Sequence, residues 1–291
     1  MVSHPGVIVV TGATGRQGGA VARHLLSDDW PVRAVTRTPG GPAARALAAL
    51  GADVVQADMM NKSDLMRAFR DAYGVYSVQN FMPGGTDAEI VQGKNVADAA
   101  KATGVQHIVY GSAGTGATDT GIPSWNSKLA VEAYSKALGL PLTVLRPMAF
   151  MELMTDKGFF PPVSTWSLMP KLMGQDRPIG WISVDDLGGI AARAFAEPAR
   201  FIGAELRLAA DVQSIAQCRQ IWSNLYGRPP RRFPMPVWMF RRFVGSDLIT
   251  MWCWLRTGQV DFDPTPTRSL LPAALTVREW LVRRRSSATS T

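Results

Sequence analysis

Between residues 7 and 145, β-type and helical segments alternate at a regular spacing, and no other feature limits the possible folds so strongly. Val7 to Thr11 is an unbroken β-branched run, which suits a strand buried on both faces. A glycine-rich turn follows, then a helical pattern carrying Val21, Leu25 and Leu26. Further strands are predicted at 31–36, 53–56, 74–78, 106–110 and 141–145. Helices are predicted at about 42–50, 62–72, 86–103 and 125–138, with Gly51 closing the first of these as a C-cap and Ser63 near the start of the next. Repeated strand–helix units bury their strands as a parallel, doubly wound sheet, with right-handed crossovers placing helices on both faces. The expected class is therefore α/β.

The first strand–helix junction reads Thr11-Gly-Ala-Thr-Gly-Arg-Gln-Gly-Gly19. Gly12 permits a tight turn, Gly15 lets backbone approach a pyrophosphate, and Gly18 lets the helix pack closely on the strand. The free amides of the helix start suit phosphate. The second strand ends at Thr36-Arg37-Thr38, where an NAD site usually carries an acid for the ribose hydroxyls. Arg37, helped by Arg16, instead suits the 2′-phosphate of NADP(H). Asp58, after the third strand, is placed either to meet an adenine edge or to serve as a helix N-terminal acid.

These residues resemble the NmrA-like family of atypical short-chain dehydrogenase/reductases. The resemblance rests on Thr11-Gly-Ala-Thr-Gly-x-Gln-Gly18, Val35-Thr-Arg-x-Pro39, Gly51-Ala-x-Val-Val-Gln-x-Asp58 and Val109-Tyr-Gly-Ser112. It continues through Lys128-x-x-x-Glu132, Leu145-Arg-Pro-Met-Ala-Phe-Met-Glu152, Val184-Asp-Asp-Leu-Gly188 and Leu275-Thr-Val-Arg-Glu-Trp-Leu281. It implies a Rossmann-type doubly wound parallel sheet that prefers NADP(H), with a smaller, less regular C-terminal substrate lobe. The cofactor contacts it implies are Gly12, Thr14, Gly15, Arg16, Gln17, Gly18, Arg37, Asp58, Gln79, Lys128, Met148 and Phe150. Family members include NADP-sensing regulators, quinone reductases and reductases of aromatic natural products.

Ordinary short-chain reductases use a Ser and a Tyr-x-x-x-Lys whose spacing sets Tyr and Lys on one helix face. Here Lys128 fits the Lys that orients the nicotinamide ribose, and Ser112 fits the Ser at the end of the fifth strand. The Tyr position is Ser124, whose hydroxyl is far less acidic than a phenol. Tyr134 lies six residues past Lys128 and faces another way. Catalysis is therefore assigned to Lys128, Ser112 and Ser124, with a proton drawn from the substrate or from a water held by Ser112, Ser124 or Asn126.

Beyond Pro147 the texture changes, with seven of nine Trp and eight of thirteen Met. The expected domains are 1–150 with 183–197 returning to it, a substrate lobe of 151–182 and 198–285, and a frayed tail at 286–291. Flat, adaptable apolar side chains suit a bulky aromatic ligand, and for any single Trp a place in the core or at a homodimer interface is the competing reading. The expected substrate contacts are Phe81, Met82, Trp125, Met151, Phe159, Trp166 and Trp181.

Cys218 and Cys253 are too few for a disulfide scaffold, and no Cys/His cluster suggests a metal. His107 is expected at the surface, Glu132 beside Lys128 or Lys136, and Asp185 and Asp186 as caps of the returning helix. No apolar run is long enough to span a membrane and no secretory leader is apparent, so a cytoplasmic protein without a membrane partner is expected. The net charge of +8 lies entirely in residues 200–291, with 14 basic and 6 acidic residues. No nucleic-acid-binding motif accompanies it, so that partner is disfavoured. The leading expectation is an NADPH-dependent ketoreductase of a bulky aromatic compound, such as a polyketide-type product of antibiotic biosynthesis. The alternatives are a non-enzymatic NADP(H)-sensing regulator that binds a protein partner, and a simple quinone reductase.

Overall fold

The computed structural model describes residues 4–82, 84–156, 164–232, 235–258 and 260–289, the last three as backbone only. Phe159, one of the expected substrate contacts, lies outside them. The alternation appears as β1 (Val7–Val10), α1 (Arg16–Ser27), β2 (Val32–Thr36), α2 (Pro42–Ala49), β3 (Asp53–Gln56), α3 (Lys62–Ala68) and β4 (Ala72–Ser77). It continues with α4 (Gly85–Ala102), β5 (His107–Gly111), α5 (Pro123–Ala137) and β6 (Leu142–Pro147). After these come β7 (Ala149–Phe150), a short 3-10 turn at Met151–Met154, α6 (Met169–Leu172), β8 (Pro178–Ile182), α7 (Val184–Ala196) and α8 (Pro198–Phe201). The chain closes with β9 (Glu205–Leu208), β10 (Asp211–Ser214), α9 (Ile215–Tyr226), α10 (Val237–Val244), α11 (Asp247–Leu255), α12 (Thr265–Leu270) and α13 (Val277–Thr289).

The main sheet has the order β3-β2-β1-β4-β5-β6-β9. Its first six strands pair in parallel, with Ile8 opposite Val32 and Gly74, Gly74 opposite His107, and Ile108 opposite Leu142. The amide of Val144 donates to Ala204 O and that of Met148 to Leu208 O, so β9 runs in the same sense. The order reverses between β1 and β4, and at such a point a doubly wound sheet opens its crevice at the carboxyl ends of the strands. The β-branched runs leave Ile8, Val9 and Val10 fully buried, as helices on both faces require. A smaller sheet has the order β10-β8-β7, with β10 antiparallel and β7 parallel to β8.

Contacts divide the chain into one unit of 1–118, 123–146 and 187–206, and a second of 119–122, 147–186 and 207–291. The expected boundaries shift because 198–206 supplies the start of β9. Its Glu-Leu-Arg-Leu sequence is half polar, since an edge strand faces water on one side, and it gives no run that reads as a strand. The expected tail also changes. No Gly or Pro interrupts 277–289, and α13 runs to Thr289, so 286–289 are helical. Asn61, and not Ser63, caps α3 by accepting from Ser63 N and Asp64 N.

Candidate functional site

The glycine turn has the geometry its sequence demands. Gly12 sits at φ +58°, in the left-handed region. A Cβ on Gly18 would lie 2.4 Å from Gly12 O and 2.8 Å from Thr11 O, so only glycine lets α1 approach β1 this closely. Gly15 caps α1 in an extended conformation, with no side-chain acceptor and no acid in the first turn. A helix start without such groups presents its amides and partial positive charge to an anion. Thr14 Oγ1 lies 3.4 Å from Thr36 Oγ1, which ties the turn to the end of β2. Arg16 and Arg37 are both exposed at this edge, and Gln17 Oε1 accepts from the Tyr76 hydroxyl at 3.4 Å. Asp58 is half-buried, and its Oδ1 accepts from Met60 N at 2.9 Å, a local turn that serves the start of α3.

At the carboxyl end of β4 lies a buried charged cluster. Lys128 Nζ is 2.8 Å from Glu89 Oε1 and donates to Gln79 O at 3.4 Å. Ser127 Oγ donates to Glu89 Oε2 and shares with Ser124 O. Glu89 is fully buried and Lys128 nearly so. The closeness of α4 and α5 comes from Gly93, whose missing Cβ would stand 2.4 Å from Val131 Cγ2. Glu89 and Lys128 lie one turn from that contact on the same helix faces. Gln79 donates from Nε2 to Ser77 Oγ at 3.0 Å, while its buried Oε1 has no partner among the described residues. A buried acceptor without a donor costs about 1–3 kcal/mol, which a ligand hydroxyl or amide would recover. The turn, the open helix start and this orphaned oxygen fit a dinucleotide laid across the crevice. Glu89 was not anticipated from the sequence, since a lone acid 39 residues before Lys128 gives no local pattern.

Ser112 is placed differently from its expected role. Its Oγ donates to Glu132 Oε1 at 2.5 Å. Glu132 Oε2 accepts from Arg146, and Arg146 reaches Glu205 Oε2 at 2.8 Å. Glu205 also pairs with Lys136. The Ser112 proton is thus committed to a network that joins β5, α5, β6 and β9. Glu132 pairs with Arg146, in place of the expected lysines, because β6 carries that guanidinium beneath α5. Tyr134 donates to Asp98 Oδ1 of α4 at 2.7 Å, nine residues along that helix from Glu89. His107 is fully buried, contrary to expectation, because β5 is a central strand and both its faces are covered. Burial pushes its pKa down to about 4. Thr143 Oγ1 donates to Phe201 O, so His107 Nε2 donates to Thr143 at 2.8 Å, and Nδ1 has no partner among the described residues.

The expected substrate contacts separate into two groups. In the first unit, Phe81 is half-buried, Met82 is exposed, and Trp125 packs on Gly114, where a Cβ would meet its ring at 2.5 Å. In the second unit, Met151, Trp166 and Trp181 belong to the hydrophobic core with Ile179, Ile215 and Cys218. Trp166 is 1% and Trp181 0% exposed, and their indoles donate to Met154 O and Gln213 O. Their satisfied burial makes them core residues, in place of the pocket walls anticipated; tryptophan content alone does not distinguish the two. Met148 is half-buried beside Gly180 and Phe150 is buried. In that segment Glu152 accepts from Val184 N with both carboxylate oxygens, at 3.1 and 3.2 Å. Burial pushes its pKa up to about 7. The returning helix is capped by Ser183, whose Oγ accepts from Asp186 N at 2.9 Å, while Asp186 Oδ2 accepts from Leu275 N. Among the described residues no group of three His, Cys, Asp or Glu could hold a metal.

Comparison with known proteins agrees with this architecture. The sequence model of the NmrA-like family matches residues 5–280. The NmrA-like family domain-containing oxidoreductase lnaB of Aspergillus flavus is 30% identical over 257 residues, covering 80% of this chain and 77% of its own. The oxidoreductase hkm9 of Aspergillus hancockii, of the same description, is 30% identical over 298 residues, covering 92% and 88%. Among solved structures, NmrA, a negative transcriptional regulator in complex with NADP, superposes with a TM-score of 0.77 at 22% identity, covering 96% of this chain and 94% of its own. The triphenylmethane reductase of Citrobacter sp. complexed with NADP(H) gives 0.76 at 20% identity, covering 94% and 98%. With the family pattern matched over nearly its whole length, the chain belongs to the NmrA-like family.

Proposed function

We propose that the chain is an NADPH-dependent oxidoreductase that reduces a bulky aromatic carbonyl compound. The observation that carries this reading is the buried Lys128–Glu89 pair beside the orphaned Gln79 Oε1, at the carboxyl end of β4. It holds a fixed ammonium that, in this reading, would orient the nicotinamide ribose, although Ser124 stands where a tyrosine would donate. The curated relatives are named oxidoreductases, and one neighbour with this fold is a reductase complexed with NADP(H). In this reading Gly12, Thr14, Gly15, Gln17 and Gly18 hold the pyrophosphate, Arg16 and Arg37 the 2′-phosphate, and Asp58 an adenine edge. The cofactor supplies hydride when bound. The chain's own work is to position it, which accounts for a large share of such a barrier. Ser112 and Tyr134 have committed their protons to Glu132 and Asp98, so the proton comes from a hydroxyl on the substrate or from water.

Purified protein should oxidise NADPH in the presence of a hydroxylated polycyclic ketone or a quinone, and Lys128→Ala should lose turnover while keeping part of its cofactor affinity. Arg37→Asp should weaken NADPH by at least about 10–100-fold, the range of a hydrogen bond to a charged group, and should not weaken NADH, whose ribose hydroxyls an acid can accept from. Tight NADPH binding, no turnover with any such compound and a stable protein partner would replace this reading with a sensing role.

A further inference from the structure

Helix α10 carries two aromatic rings held out in water. Phe240 is the fully buried residue of this helix and stacks on Trp252 of α11, with ring centroids 5.7 Å apart. Turning away from that contact, Trp238 is 72% and Phe243 79% exposed. Arg241 and Arg242 are exposed between them. On a helical wheel Trp238 and Arg242 lie at the centre of the outward face with Arg241 on its flank, while Phe243 lies on the other side, nearer Phe240 and still exposed. The surrounding sequence is strongly one-signed. Residues 212–260 contain seven Arg, no Lys and no Glu, and one Asp, Asp247, half-buried in the first turn of α11. Arg231 and Arg232, just before the helix, are exposed as well.

We propose that this face docks on the surface of an anionic lipid bilayer. Trp and Phe rings prefer the boundary between headgroups and acyl chains, while guanidinium groups pair with lipid phosphates. A second copy of the chain fits less well, because a self-complementary interface would set Arg241 and Arg242 against their own equivalents. Nucleic acid would use the arginines but leave Phe243 and Trp238 without an apolar environment. The expectation of no membrane partner rested on spanning length, and among the described residues no helix is long and apolar enough to cross a membrane. Interfacial binding needs no span.

The test is co-sedimentation of the full chain with phosphatidylcholine vesicles, with and without 30 mol% phosphatidylglycerol as a stated composition, at low and high salt. Binding is expected only to the anionic vesicles and should weaken with salt. Arg241→Ala/Arg242→Ala should reduce the partition coefficient by about 30-fold, and Trp238→Ala/Phe243→Ala by at least tenfold. All four side chains are solvent-exposed, so unchanged thermal midpoints should accompany both losses. No binding at low salt, or binding untouched by either double variant, would overturn the proposal. So would a concentration-dependent dimer abolished by Trp238→Ala/Phe243→Ala without vesicle binding, which would assign the face to self-association. Duplex DNA binding that needs the arginines but not the rings, with vesicles ignored, would overturn it too.

Discussion

Replacing Glu89 by Gln tests the central cluster by its energy before any chemistry is measured. The pair joins a carboxylate with no exposed surface to an ammonium whose side chain is 10% exposed, at 2.8 Å. Gln keeps an oxygen for Ser127 but leaves the Lys128 charge buried with, among the described residues, the long contact to Gln79 O. Removing one partner of a buried pair costs about 3–5 kcal/mol, because the remaining charge has lost its compensation. For a chain of this size that lowers the thermal midpoint by on the order of 10 °C. Glu89→Gln/Lys128→Met removes both charges and should recover most of the loss, since uncharged residues of similar volume replace such pairs at little cost. Urea and thermal unfolding of wild type, both single variants and the double variant complete the cycle. A loss below about 1 kcal/mol in Glu89→Gln, or a double variant as unstable as the single, would refute the claim that the two charges compensate each other.

Gly18→Ala forces a Cβ to 2.4 Å from Gly12 O, so α1 must move off β1; we expect a loss of about 1–3 kcal/mol and weakened NADPH binding by calorimetry, and an unperturbed variant would show that the close approach is dispensable. His107 is held neutral by burial with a pKa near 4, against 6.5 in the unfolded chain. Its contribution is complete above about pH 6.5 and is lost as pH falls toward 4, by up to about 3 kcal/mol; His107→Gln should flatten that part of the stability curve. Glu152 acts in the opposite sense. Its folded pKa near 7 means the native state binds a proton that the unfolded state releases between about pH 4.5 and 7, so its contribution is complete below that window and is lost as pH rises through it. Glu152→Gln should therefore exceed wild-type stability at pH 8 and match it at pH 4.5, and a constant difference across that range would contradict the assignment.

Periodicity made most of the first unit legible. The β-branched run at Val7 to Val10 and the glycines at 12 and 18 impose steric requirements that the structure satisfies: a buried strand, a left-handed turn and a close helix approach. Lys128 and Ser112 were visible as residues through the family resemblance, which places them by their positions on the fifth helix and at the end of the fifth strand. Their partners were not, because Glu89 and Arg146 reach them across helices and strands far apart in sequence. That is why the hydroxyl of Ser112 looked available when Glu132 had already claimed it. The second unit was harder to read. Trp166 and Trp181 show no sequence difference from pocket residues, and their full burial with bonded indole N–H groups assigns them to the core. β9 escaped notice because an edge strand alternates Glu and Arg with Leu.

The absent methyl at Gly93 governs the charges one turn away. Because Val131 fills the space a Cβ would need, the gap between α4 and α5 is fixed by packing before any ion pair forms. Adding that carbon at residue 93 would prise the helices apart and stretch the Glu89–Lys128 bond without altering either charged group. Shrinking Val131 at the same time should let them close again. The alignment of an ammonium with its acid thus depends on an uncharged spacer, and an inventory of ionisable side chains alone would overlook the position that sets it.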